Sequence, residues 1–344
     1  MSDQFLLTIE STCDETAAAV IDRRRTVVAA AVASQEDVHQ DFHGVVPELA
    51  ARHHLERIVS IVDRVIERSG LQPRRDLAAI AVATEPGLPG SLLVGLAAAK
   101  GLCVAWRKPL VAINHVQAHI YACQMGREES VFPCVGFVIS GGHTNLYHCA
   151  SPQHWKYLGG TIDDAVGEAF DKVAVMLGLP YPGGPHLSSL AAEGDPQAFS
   201  LPRPLLHDEQ SLNLSFSGLK TAVRYHLVGP GKHDLSKLEL AEQVRRDMAA
   251  SFQQAAIDCL MGKAIQALRM TGLTRLCVGG GVAANQALRQ QLQQAMAIHQ
   301  GELIIAPPAL CTDNAAMGAI AWEQVEAGDF APLDIDIQPG LLRG

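Results

Sequence analysis

The sequence predicts an α/β protein made of two similar halves, and three observations carry that prediction. Strand-length apolar runs alternate with helical segments along the chain. A strand, a tight polar turn and a returning strand occur at Phe5–Ile21 and again at Val135–Ala150. A chain of 344 residues with 48% apolar content can bury a sizeable core and by length suggests two domains, divided here as 1–130 and 131–344.

Composition narrows the function classes. The eight cysteines include no Cys-x-x-Cys pair, which suits reduced thiols better than disulfides or a zinc knuckle. No secretory signal, lipidation motif or membrane span is read, since Leu92–Trp106 is cut by Gly95, Lys100 and Gly101. The expectation is a cytoplasmic chain with no membrane partner. A net charge of -9 argues against a broad nucleic-acid-binding surface, while leaving room for a local basic patch or a partner that supplies one.

In the first half, Phe5–Glu10 reads as a buried strand running into the polar turn Ser11–Thr16, with Ala17–Ile21 and Thr26–Val32 as further strands. Such a turn aims N–H groups, hydroxyls and a carboxylate at one point, as a phosphate or its counter-ion requires. Val46–Arg68 is an amphipathic helix with Pro47 in its first turn. Leu77–Ala83 is a strand, and the loop Thr84–Ser91, rigid at its prolines and permissive at its glycines, feeds the helix Leu92–Trp106. Strand Pro109–Ile113 then leads into Asn114-His115-Val116-Gln117-Ala118-His119, which opens the helical segment Val116–Gln124. Histidines four apart on a helix share a face, so His115 and His119 can reach a single ion. The same spacing also suits two histidines on a helix surface. Val116 stands where a His-Glu-x-x-His metalloprotease needs glutamate, which makes that chemistry weak here.

The second half restarts with strand Val135–Ile139, turn Ser140–Thr144 and strand Asn145–Ala150. Thr161–Asp164 starts a helix over Ala165–Leu177, stopped by Gly178. Asp164, Glu168 and Asp171 then share one helix face, either as a functional carboxylate array or as a solvated surface. Tyr181–Pro185 is a loop that lets a ligand approach bare backbone, and Leu201–Gly218 is irregular. Leu238–Met270 is a long helix, Arg275–Val278 a strand, Gly279–Asn285 a glycine-rich turn, and Gln286–Met296 a helix whose N-terminus favours anionic or polar ligand atoms. The turn lacks Gly-x-Gly-x-x-Gly spacing, so a Rossmann site is disfavoured. Leu303–Ala306 is a last strand, Cys311–Asn314 caps the closing helix Ala315–Ala327, and Gly328–Gly344 is an irregular tail. Two halves opening with strand, phosphate-type turn and strand resemble the actin, Hsp70 and sugar-kinase superfamily, in which a nucleotide cleft lies between two similar domains.

A narrower resemblance runs from Leu7 to Trp322. Glu10–Thr16 (ESTCDET), Val45–Arg52 (VVPELAAR), Pro86–Gly95 (PGLPGSLLVG), Asn114–His119 (NHVQAH), Ser140–Thr144 (SGGHT) and Asp163–Lys172 (DDAVGEAFDK) are joined by Tyr181–Pro185 (YPGGP), Phe216–Val223 (FSGLKTAV), Gly279–Asn285 (GGGVAAN) and Cys311–Met317 (CTDNAAM). In this order they resemble the bacterial TsaD family, the tRNA N6-adenosine threonylcarbamoyltransferases once called O-sialoglycoprotein endopeptidases.

The resemblance implies one divalent metal ion held by His115, His119 and Asp313, usually taken to be Fe(2+), with Zn(2+) or Mn(2+) able to use the same donors. It implies that the ion polarises the threonylcarbamoyl group of threonylcarbamoyl-adenylate as a Lewis acid. The adenylate would rest against Val138, Ile139, Ser140, Gly141, Gly142, Asp171, Gly184 and Asn285, with Asp171 accepting from ribose hydroxyls. The N6 amine of adenosine 37, in tRNAs reading codons that start with A, would attack the carbamoyl carbon and expel AMP. His143 is a candidate proton carrier, and no residue stands out as the general base. A paralogous TsaB-like subunit and a small TsaE-like ATPase are the implied protein partners. The chain departs from the family pattern at Ser11-Thr12, inverted in order, at His43-Gly44, at Glu85 and at Ser188, where many relatives place an acid against the nucleotide. Two other classes share parts of the pattern: an ATP-dependent kinase or ATPase of the same superfamily, and a non-catalytic paralogue, which generally lacks the metal ligands.

Overall fold

The computed structural model describes residues 4–42, 44–230 and 240–340. His43, the Leu238-Glu239 start of the expected long helix and the last residues of the tail lie outside them. Two compact units form: one from Met1–Val131, Ser151–His154 and Ala306–Gly344, the other from Phe132–Ala150 and Trp155–Ile305. Where the sequence reading divides the chain once, at 130/131, the last segment returns to the first unit. Asp313 thereby shares a unit with His115 and His119.

In the first unit, β1 (Phe5–Glu10), β2 (Glu15–Asp22), β3 (Val27–Ser34), β4 (Leu77–Glu85) and β5 (Leu110–Asn114) form a sheet in the order β3-β2-β1-β4-β5. β2 runs antiparallel to β1 and β3, while β4 runs parallel to β1 and β5. The inner strands are apolar and buried on both faces, as strands covered on both sides must be. After the short α1 (Glu36–His39), α2 (Pro47–Ser69) begins at a proline and ends at Gly70, whose φ of 66° closes the helix in the left-handed region. Ile58, Ile61, Val62 and Val65 form its buried stripe. A single turn, α3 (Pro73–Asp76), precedes β4, and α4 (Pro89–Trp106) lies on β4 and α2 through Leu92, Leu96 and Ala99. Among the described residues α4 is the one helix long and apolar enough to cross a membrane, yet this face belongs to the core of the unit. Leu55 and Val59 of α2 and Leu93 and Val104 of α4 remain exposed. α5 (His115–Tyr121) follows β5 directly.

The second unit repeats the plan. β6 (Cys134–Ile139), β7 (Thr144–Ser151), β8 (His154–Gly160), β9 (Arg275–Gly279) and β10 (Glu302–Ile305) form a sheet in the order β10-β9-β6-β7-β8. β6 is antiparallel to β7 and parallel to β9, and β9 is parallel to β10. The helices are α6 (Val166–Met176), α7 (Gly183–Ala191), α8 (Ser217–Val228), α9 (Glu242–Thr271) and α10 (Gln286–Ile298). β8, α7 and α8 are additions to the sequence reading. β8 is a half-exposed edge strand without a continuous apolar run, and α7 and α8 open on glycines that read as breakers. The closing helix of the first unit also differs: Ala315–Ile320 is a 3-10 segment, and α11 spans Ala321–Ala327.

Candidate functional site

Local structure brings the histidine pair inward. Asn114 ends β5 and caps α5, its side chain accepting from the N–H groups of Val116 (2.9 Å) and Gln117 (3.1 Å), so the helix starts where the strand stops. His115 and His119 are both buried, with ring centroids 4.6 Å apart and planes at 77°. Asp313 arrives just before the 3-10 segment, which Asn314 caps through Met317 N–H. That segment lies tight on β1. Thr8 Oγ1 donates to Ala315 O at 2.6 Å, and a Cβ on Gly318 would meet Thr8 Cβ at 2.8 Å.

Asp313 Oδ1 stands 3.0 Å from His119 Nε2 and 3.6 Å from His115 Nε2, and one ligand atom from each residue falls within 4.8 Å of the others. The ring of His119 is fully buried; its Nδ1 has no hydrogen-bond partner, and its Nε2 lies beside Asp313 Oδ1 without making a well-directed hydrogen bond. Buried polar atoms without partners are rare and costly, and an ion would satisfy Nε2. Two imidazoles and a carboxylate also suit a divalent transition metal. The residues therefore fit the group.

Acidic groups surround the triad. Burial opposes charge on His115, but Glu10 and Asp313 outweigh it and raise the imidazole pKa to about 9. Burial, with Asp14 and Asp313 adding to it, pushes the Glu15 carboxyl well above the usual carboxylate range and the Cys13 thiol well above its own. Behind this loop, His54 Nε2 donates to Cys13 O at 3.0 Å while its Nδ1 lies 2.7 Å from Thr16 Oγ1. Glu10, Thr12 and His54 were not singled out by the sequence reading. Their signal there is weak: Glu10 is a carboxylate ending a buried strand, with only 3% of its surface exposed.

The residues expected to hold an adenylate lie in the second unit. Val138 and Ile139 end β6. In the following turn, Ser140 N–H donates to His143 O (2.7 Å) and His143 N–H to Ser140 Oγ (3.1 Å). Around Gly141, Gly142 and Gly184 an added Cβ would meet open space, so bare backbone faces outward. Gly167 and Gly280 instead press against this turn; a Cβ would sit 2.7 Å from Ser140 O and 2.5 Å from Ile139 O respectively. Asp171 Oδ1 accepts from Gly183 N–H (2.8 Å) and Gly184 N–H (3.1 Å), which joins Asp171 and Gly184 and starts α7. Asn285 caps α10 through Leu288 N–H and donates to Ser188 Oγ and Gln253 Oε1, each at 2.8 Å.

The three-carboxylate face resolves into separate roles. Asp164 precedes the helix and pairs with Lys172 (2.9 Å) and Lys220 (2.5 Å), and Glu168 pairs with Lys172 at 2.7 Å. Of the three, Asp171 is the one bound to a glycine loop. The helix starts at Val166 because Thr144 Oγ1 accepts its N–H, while Asp163 accepts from Phe216 and Ser217 and caps α8.

Comparison with known proteins agrees on one family. Residues 26–320 match the family model TsaD, described as tRNA N6-adenosine threonylcarbamoyltransferase. A protein of that name from Rhodopirellula baltica is 54% identical over 354 aligned positions, covering 100% of this chain and 98% of its own length. Another from Geobacter sp. strain M21 is 46% identical and covers 97% of this chain and 95% of its own. Among solved structures, full-length HypF in its phosphate- and nucleotide-bound form aligns with a TM-score of 0.63 at 13% identity, over 96% of this chain and 48% of that one. The activator of 2-hydroxyisocaproyl-CoA dehydratase from Clostridium difficile, with bound ADPNP, aligns at 0.54 and 12% identity, over 94% and 96%. At such identities these structures speak for the fold, an α/β fold of the actin, Hsp70 and sugar-kinase type.

Proposed function

This chain belongs to the TsaD family of tRNA N6-adenosine threonylcarbamoyltransferases, and from that premise we propose that it transfers the threonylcarbamoyl group of threonylcarbamoyl-adenylate to N6 of adenosine 37 in tRNA, releasing AMP. The acceptors are tRNAs that read codons starting with A. The observation that carries this reading is the meeting of His115, His119 and Asp313, around a buried His119 whose ring makes no well-directed hydrogen bond. A kinase-like ATPase of the same fold leaves that meeting unexplained.

The residues divide the work. His115, His119 and Asp313 would hold a divalent ion, Fe(2+) first and Zn(2+) or Mn(2+) as alternatives, which when bound would supply Lewis acidity to a carbonyl oxygen. Gly141 and Gly142 offer backbone N–H groups to the phosphate, and the open space around them allows that approach. Asp171 accepts ribose hydroxyls while its Oδ1 holds Gly183 and Gly184. Asn285, already linked to Ser188 and Gln253, faces the nucleoside, and Ser188 gives that position a hydroxyl in place of a charge. The N6 amine is a poor nucleophile, so the rate comes mainly from positioning and from stabilising charge on the carbonyl oxygen. His143 is the proton carrier this reading assigns.

Partners follow from charge. At -9 the chain carries only scattered basic clusters, such as Arg23-Arg24-Arg25, Arg74-Arg75 and Arg245-Arg246, so a TsaB-like subunit and a TsaE-like ATPase complete its grip on tRNA. The exposed Leu55, Val59, Leu93 and Val104 are an apolar surface of the kind a subunit covers. These substrates and partners put the protein in the cytoplasm.

The test is transfer from radiolabelled threonylcarbamoyl-adenylate to a tRNA transcript, set beside ATP hydrolysis and phosphotransfer. Labelled nucleoside with equimolar AMP supports the proposal. ATP turnover without labelled tRNA would favour the kinase-like reading.

A further inference from the structure

We propose that Glu10 is the positioning residue of the metal centre, fixing the His115 proton on Nδ1 so that Nε2 presents its lone pair to the ion. This rests on the metal reading above. Glu10 ends β1 and is buried, so water cannot stand in for its partners. Its Oε2 lies 3.0 Å from His115 Nδ1, and its Oε1 accepts Thr12 N–H at 2.7 Å. The opposite edge of the ring, Nε2, faces Asp313 Oδ1 at 3.6 Å. Thr12 Oγ1 stands 3.2 Å from the same Nδ1, so the nitrogen that faces Glu10 is enclosed by oxygen.

Both duties of Glu10 are acceptor duties, and only a carboxylate has two acceptor oxygens. A glutamine of the same shape can accept from Thr12 N–H or from His115 Nδ1–H, and must turn its NH2 toward the other. With Oε1 held by Thr12, the NH2 meets Nδ1. The ring then carries its proton on Nε2, and the lone pair needed by a metal is gone. A carboxylate behind a ligating imidazole sets the tautomer and raises ligand basicity, and removing it typically weakens metal binding roughly 10- to 100-fold. His119 Nδ1 has no such partner, and the carboxylate beside its Nε2 is the co-ligand Asp313 itself. The structure thus makes His115 the oriented ligand of the pair.

The experiment uses the full chain with 15N-labelled histidine and two probes, Zn(II) for NMR and Co(II) for visible absorption. In the Zn(II)-loaded native protein, His115 should be ligated through Nε2 and show an exchange-protected proton on Nδ1. Glu10→Gln should lower Co(II) affinity roughly 10- to 100-fold and remove that Nδ1 proton signal. A role in packing alone would instead lower the melting temperature of the metal-free protein and leave affinity and the ligating nitrogen as they were, which overturns the inference. Should Glu10→Gln fail to fold, the native spectrum decides, because ligation of His115 through Nδ1 overturns the inference without any variant. A native chain that binds neither probe, or binds both equally after His115→Ala, overturns the metal reading and this inference with it. Native binding that Glu10→Gln leaves unchanged overturns this inference alone.

Discussion

His119 is the residue whose surroundings press hardest for a ligand, because its ring is buried and makes no well-directed hydrogen bond, with only the co-ligand Asp313 beside Nε2. Replacing it should therefore cost little in folding. His119→Asn is expected to lower bound metal at least roughly 10-fold while keeping the native circular dichroism spectrum, checked by elemental analysis of the folded variant. Asp171 calls for a gentler change than alanine, since its Oδ1 holds the start of α7. Asp171→Asn keeps an acceptor for Gly183 and Gly184 yet removes the charge offered to a ribose. Affinity for the adenylate or ATP should fall by about 1.5 to 3 kcal/mol, measured by titration, and unchanged affinity would reduce Asp171 to a helix cap. Legibility at this scale was uneven. Four-residue spacing marks His115 and His119 from local sequence, whereas Asp313 is distant in the chain and only the family pattern points to it. Glu10 stood in the Glu10–Thr16 motif but gave no signal of its own beyond a charge at a strand end.

Elements were legible where apolar periodicity was strong and were missed where a side chain overrode local propensity. The strands of both sheets other than β8, and helices α2, α4 and α9, announce themselves by runs or stripes of apolar residues. α8 does not, because it opens on Phe216-Ser217-Gly218, and its start depends on Asp163 from far upstream. Asp163 is held below its usual range: burial pushes its pKa up, but the hydroxyls of Ser215 and Ser217 and the amides of Phe216 and Ser217 outweigh burial. A folded pKa below the unfolded value means its stabilisation is fully present above about pH 4 and is lost as pH falls through the folded pKa. Asp163→Asn should consequently lower the melting temperature at pH 7, and the gap to the native protein should narrow below about pH 4. Melting curves across that range check it, and a gap independent of pH would show that the charge is not what holds α8.

At the scale of the molecule, the recurrence of strand, turn and strand foreshadowed two sheets with equivalent strand order, β3-β2-β1-β4-β5 and β8-β7-β6-β9-β10. The return of the last segment to the first unit was not foreshadowed, because it depends on contacts such as Thr8 with Ala315 that no periodicity encodes. An acidic chain that must hold a polyanion should bind tRNA weakly alone. Raising salt from about 50 to about 200 mM should weaken that binding steeply, and the TsaB-like and TsaE-like partners should restore both binding and repeated turnover; salt-independent binding by the isolated chain would contradict this. The most direct test of the central claim is the yield of threonylcarbamoylated adenosine 37 from threonylcarbamoyl-adenylate and tRNA, with partners present, for the native chain and His119→Asn side by side. The native chain should give modified nucleoside and AMP in equal amounts, and the folded, metal-depleted variant neither above background. Equal yields from the two would contradict the claim.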